Sequence, residues 1–118
     1  MLAAHHGLAF VVVAVCILAA LLALVAYRRR QLGGGRLVAH ALALAQTLIV
    51  AQAAVGLLLL ADHKRADRGE HYMYGSLAVL AVAWPWFYAP PEPRRRLAWF
   101  AGATLLAAVL AVRAFMTA

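Results

Sequence analysis

LAFVVVAVCILAALLALVAYRRR occupies residues 8–30. Leu8–Tyr27 carries no charged residue, and Arg28, Arg29 and Arg30 follow at once. A membrane-crossing helix needs about 20 mostly apolar residues, with a range of about 17–25. A cleaved signal peptide puts its positive charge before the apolar core. Here residues 1–7 hold no Lys or Arg. The order therefore predicts a retained span whose N-terminus lies outside the cytoplasm.

Three further apolar runs follow, at residues 37–61, 72–88 and 97–116. The 118-residue chain is 67% hydrophobic, with a mean hydropathy of +0.86. Soluble domains average about 45–50% apolar residues, and a chain this short cannot hide such an excess inside a globule. In lipid every backbone polar group needs an internal partner, so spans are helices or closed barrels. Continuous runs of this length predict helices. Gly33, Gly34 and Gly35 separate the first two runs, and Pro90, Pro91 and Pro93 the last two. Short loops favour antiparallel neighbours. The expected fold is one all-α integral membrane domain over residues 1–118, an antiparallel up-down-up-down bundle of four transmembrane helices.

The net charge of +7 is not read as a nucleic-acid signal. Seven of the eleven basic residues, Arg28, Arg29, Arg30, Arg36, Arg94, Arg95 and Arg96, fall in the first and third loops. In the middle loop Lys64, Arg65 and Arg68 face Asp62, Asp67 and Glu70. Positive loops stay in the cytoplasm, which predicts a multi-pass protein of the cell membrane, a bacterial inner membrane, with both termini extracytoplasmic. The expected partners are the lipid bilayer, anionic headgroups at the arginine loops, and other membrane subunits or copies of this chain. The one cysteine, Cys16, excludes an intramolecular disulfide and reads as a small hydrophobe. Trp84, Trp86, Phe87, Tyr88, Trp99 and Phe100 mark the inner boundary, where Trp and Tyr prefer the headgroup level. Pro85 is expected to kink or end the third helix.

The second run is the least apolar. His40, Thr47, Ala54 and Ala61 recur every seventh residue, beside a stripe of Ala39, Gln46 and Ala53. Small residues let helices approach, and polar ones bond across the contact. That face is expected inside the bundle or against a partner subunit. Gln52 points elsewhere and needs a different partner.

Ionisable residues gather at the outer ends of the runs: His5, His6, Asp62, His63, Glu70, His71 and Arg113. In an up-down bundle the first and third helices are diagonal and run the same way. His6 or His5 and His71 then reach a common axis from opposite sides, the arrangement for bis-imidazole ligation of a b-type haem iron. Gly75 lies one turn inward of His71, and Gly56 sits near the outer part of the second helix. Both leave room for a flat macrocycle. Arg113, about one turn from the outer end of the fourth run, has several readings: a partner for a haem propionate, for a quinone oxygen or for Asp62 or Glu70, or a side chain snorkelling to headgroups. His40 lies at the inner half and has no histidine at matching depth. His5, His6, His63 and Asp62 form an alternative N/O set for a surface metal ion.

A His-led first helix, His40-x5-Gln46 in the second and His71-x3-Gly75 opening the third resemble the b561-type membrane cytochromes. The likeness covers roughly the first three runs. It implies a helical bundle with histidine-held haem and electron exchange with a quinol or an extracytoplasmic carrier. That family supplies two histidine pairs; this chain has only the outer one, which implies one haem. His71-Tyr72-Met73-Tyr74-Gly75 and Arg113-Ala114 also look like small four-span bacterial membrane proteins with no assigned function. The alternative function is a non-catalytic accessory or assembly subunit of a larger membrane complex.

Overall fold

The computed structural model describes residues 2–29, 35–62 and 69–117, with side chains from Ala4 onward. Over these residues the chain forms four helices: α1 (Leu2–Arg28), α2 (Gly35–Ala61), α3 (Glu70–Tyr88) and α4 (Pro93–Met116). Expectations for Arg30, Gly33, Gly34, His63, Lys64, Arg65, Asp67 and Arg68 lie outside the described residues.

The helices extend beyond the apolar runs wherever the flanking residues tolerate helical geometry. α1 starts at Leu2 and takes in His5 and His6. α2 opens on Gly35 at φ +76°, a left-handed conformation that costs glycine nothing because it has no Cβ. α3 does not end at Pro85. It runs on to Tyr88, and the Ala89 N–H still donates to the Pro85 carbonyl at 2.9 Å. Ala89 is extended, as a residue before proline prefers. α4 begins on Pro93, whose missing N–H and fixed φ suit a first helical position.

Three helices are long and apolar enough to cross a membrane: Ala4–Arg28, Gly35–Ala61 and Pro93–Met116. The fourth expected span, residues 72–88, falls short of that standard. Its helix has 19 residues, and Tyr72, Tyr74, Pro85, Tyr88 and the tryptophans dilute its apolar character.

Each helix buries one face; on α1, α2 and α3 it is a seam stepping by alternating fours and threes, and on α4 a wider band. On α1 the buried residues are Val12, Cys16, Ala19, Ala23 and Ala26; on α2, Val38, Leu42, Ala45 and Ile49. Ala78, Val82 and Pro85 are buried on α3, and Leu97, Phe100, Ala101, Thr104, Ala107 and Ala108 on α4. A mean repeat of 3.5 keeps one helix face toward its neighbours over many turns. Small residues dominate where α1 meets α4: Ala19, Ala23, Ala101 and Ala107 have no exposed surface. α1 packs against α2 and α4, and α3 packs chiefly against α4. α2 meets α3 lightly, and α1 and α3 have no close backbone approach among the described residues. Many of the large apolar side chains point the other way. Phe10, Leu18, Leu57, Leu80, Phe87 and Met116 are all more than half exposed.

His40, Thr47, Ala54 and Ala61 lie on the exposed face of α2. The bundle interior is taken instead by the seam two residues earlier, Val38 and Ala45. Thr47 satisfies its hydroxyl within its own helix, donating to the Ala43 carbonyl at 2.8 Å. Gln46 is partly buried and accepts from Trp86 Nε1 on α3 at 2.9 Å.

Candidate functional site

His5 lies seven residues before Val12 and so continues the buried seam of α1 to its first turn. It is 8% exposed, whereas His6, one residue and about 100° of helix further on, is exposed. On α2 the same repeat runs from Ala45 to Gln52 and from Ile49 to Gly56. Both partly buried residues meet His5. Gln52 Nε2 donates to the His5 carbonyl at 2.8 Å. A Cβ placed on Gly56 would lie 3.3 Å from His5 Cε1. Gly56 therefore gives its space to the imidazole. Gly75 does leave a gap, because a Cβ there would meet nothing within 4 Å.

His71 stands seven residues before Ala78 and carries the α3 seam to the first turn. Its Nδ1 lies 2.6 Å from the carbonyl of Ala114, in the last turn of α4. The last four carbonyls of a helix lack intrahelical partners, so this bond also satisfies a helix end. A carbonyl only accepts. Neutral His71 therefore carries its proton on Nδ1 and has its lone pair at Nε2. Thr117 caps the same turn through its N–H and hydroxyl, which reach the Arg113 and Ala114 carbonyls.

The His5 and His71 ring centroids are 6.0 Å apart, edge to face at 76°. Among the described residues α1 and α3 have no close backbone approach, and the two imidazoles meet across the gap between them. His6 stands 6.3 Å from His5, and Tyr72 lies 5.6 Å from His71. Among the described residues no three of His, Cys, Asp and Glu gather as a metal site. Nδ1 of His5 and Oε1 of Gln52 are buried without a hydrogen-bond partner.

Arg113 sits beside this group in sequence, one residue before Ala114, but its side chain is exposed. Its guanidinium carbon stands 5.4 Å from the ring centre of Tyr74. The sequence thus brings together His5, His71 and, at the rim, Arg113. His40 belongs to the other part of α2. Gln52 was not among the expected site residues. The available signal was its place on the Val38–Ala45 heptad.

At the far ends of these helices arginines lie on aromatic faces. Arg94 stacks on Tyr27 at 4.0 Å and donates to the Tyr27 carbonyl at 3.3 Å. Arg96 lies over Trp86 and Phe100 at 5.8 and 5.1 Å. Trp84 stacks on Tyr88 at 4.3 Å. An apolar groove between α3 and α4, lined by Leu77, Trp84, Trp99 and Leu106 and floored by Gly102, contains none of the histidines.

No protein-family model matches this chain, and no curated protein or solved structure matches it either.

Proposed function

We propose that this chain is a small multi-pass membrane protein that binds one b-type haem between His5 and His71 and serves in electron transfer. The reading takes the helices as an antiparallel up-down-up-down bundle with both termini outside the cytoplasm. Outward-facing large apolar residues, three helices of spanning length and arginines at one end support it. The arginine end would meet anionic headgroups of the inner leaflet.

The observation that carries the haem assignment is the 6.0 Å between the two imidazoles. Metal–imidazole bonds run about 2 Å, so two imidazoles that shared one ion would have centroids about 6 Å apart; the rings now stand edge to face, and one would turn to present its nitrogen. The hydrogen bond from His71 Nδ1 to Ala114 is of the kind that orients a metal-ligating histidine and leaves its other nitrogen for the metal. Two neutral imidazoles are the ligand type that a haem iron would take, and His5 and His71 would supply them. Bound there, haem supplies a reversible one-electron couple. His5 and His71 would hold the iron, and Arg113, which lies by the Tyr74 ring, would neutralise a propionate at the rim. A quinol or an extracytoplasmic carrier would exchange electrons on that side.

The test is the absorption spectrum of protein purified after haem-replete expression. A Soret band is expected, lost in His5→Ala and in His71→Ala but kept in His6→Ala. A colourless wild-type protein overturns the reading.

A second reading is favoured by α2. His40, Thr47 and Ala54 form a small and polar stripe that the described residues leave exposed. Such a stripe suits close helix contact in a membrane, as in an accessory subunit of a larger complex or a homo-oligomer. Co-purification with other chains and no cofactor would favour the subunit. A stable isolated monomer in mild detergent would remove it.

A further inference from the structure

Two buried polar atoms at this site lack partners, and they belong to residues already joined. Gln52 donates from Nε2 to the His5 carbonyl at 2.8 Å. Its other amide atom, Oε1, is buried and unpaired, as is Nδ1 of the His5 ring. The third orphan among the described residues, Nε of Arg94, is at the opposite end of α4. Buried polar groups without a partner are rare and call for a cause.

The two atoms are complementary in one state of His5. Gln Oε1 only accepts, and a neutral imidazole has one donor and one acceptor nitrogen. An imidazole that gives Nε2 to a metal holds its proton on Nδ1, and that N–H ordinarily donates to a carbonyl, a carboxylate or water. For His71 the acceptor is the Ala114 carbonyl. For His5, the buried side-chain acceptor still lacking a donor among the described residues is Gln52 Oε1, on the amide whose Nε2 already holds the His5 carbonyl. The terminal torsion of histidine is broad, so reorienting the ring on ligation is cheap.

We propose that Gln52 is the positioning residue of His5, accepting its Nδ1–H when Nε2 is ligated and fixing the ring across from His71. The proposal rests on the haem reading. Both ligands would then donate to neutral acceptors. Accepting from Nδ1–H makes the ligand more basic and favours the oxidised iron. Loss of the acceptor raises the midpoint potential, and a carboxylate in its place lowers it.

The experiment is a redox titration of the haem-loaded full chain, followed by its absorption bands, for wild type, Gln52→Met and Gln52→Glu. The Met variant keeps nearly the same volume without the oxygen. It is expected to raise the potential, by about 59 mV for each tenfold change in the preference for oxidised iron. The Glu variant is expected to lower it. Both should keep the wild-type ligation spectrum. Opposite signs separate positioning from a packing role, which would leave both variants unmoved or move them the same way. Either of those results overturns the role of Gln52 while the haem reading stands. A wild type without haem overturns both. Should Gln52→Met fail to accumulate, the sign of the Gln52→Glu shift decides, because that variant keeps the native shape.

Discussion

Gly56 is the position at which the site can be disturbed without touching a polar group. A Cβ there would stand 3.3 Å from His5 Cε1 and 3.9 Å from Nε2. The first distance is tighter than an ordinary carbon contact, so the ring must give by a few tenths of an ångström. Gly→Ala inside a helix gains about 0.8–1.0 kcal/mol of propensity. In Gly56→Ala that gain is offset by the crowded ring, and the net stability change should stay within about 1 kcal/mol. Gly56→Leu is different. Its next carbon extends about 1.5 Å further along the same direction, where His5 already is. Overpacking of this kind costs about 1–3 kcal/mol, and His5 must leave its place opposite His71.

A double-mutant cycle isolates that contact and needs no cofactor. Unfolding in detergent would be measured for wild type, Gly56→Leu, His5→Ala and the pair. Removing the imidazole empties the space that Leu requires. The penalty of Gly56→Leu should therefore shrink in the His5→Ala background, with a coupling of at least about 1 kcal/mol, inside the range for residues in contact. An equal penalty in both backgrounds would refute the idea that Gly56 is kept small for His5.

Two further outcomes test the rest of the fold. Leu18 is 59% exposed and its neighbour Ala19 has no exposed surface. Ala19→Leu should destabilise by about 1–3 kcal/mol and Leu18→Ala by far less; thermal unfolding in detergent giving the reverse order would count against the small-residue seam. Arg94→Lys keeps the charge but loses the guanidinium that lies 4.0 Å over the Tyr27 ring centre, so a loss of about 0.5–1 kcal/mol is expected. An unchanged melting temperature would show that the stack contributes nothing.

Hydropathy made the four helices legible, because each apolar run is long and bounded by arginine, glycine or proline. It could not show which face of each run is buried. In α1 nearly every residue is apolar, so a hydropathy pattern has no preferred side. Size carries that information instead: Val12, Cys16, Ala19, Ala23 and Ala26 are smaller than the leucines that point outward. The same limit left open whether the α2 stripe faces the bundle interior or a partner subunit, and the structure leaves it exposed. His40, Thr47 and Ala54 have the right period but stand two residues from the seam of Val38 and Ala45, about 200° around the helix. Choosing between His5 and His6 required the seam as well, since adjacent residues point about 100° apart. The limited hydropathy of α3 was legible in its tyrosines, tryptophans and proline, although its length is that of a helix.

The seam also explains why polar groups survive where they do. Counting by sevens from the buried residues reaches His5 on α1, Gln52 on α2, His71 on α3 and Ala114 on α4. Toward the middle of each helix those positions hold alanine or another apolar residue, and the backbone is satisfied within the helix. Near the ends the helix has spare groups: the Ala114 carbonyl, in the last turn, accepts from His71 Nδ1–H. A histidine one turn deeper would find such carbonyls already engaged within the helix. One residue along, as His6 shows, it would face outward. Heptad register and helix termination together confine the imidazole pair to this one level. Gln52 lies farther inside α2 and reaches that level only through its side chain, which is why half of its amide is still unpaired.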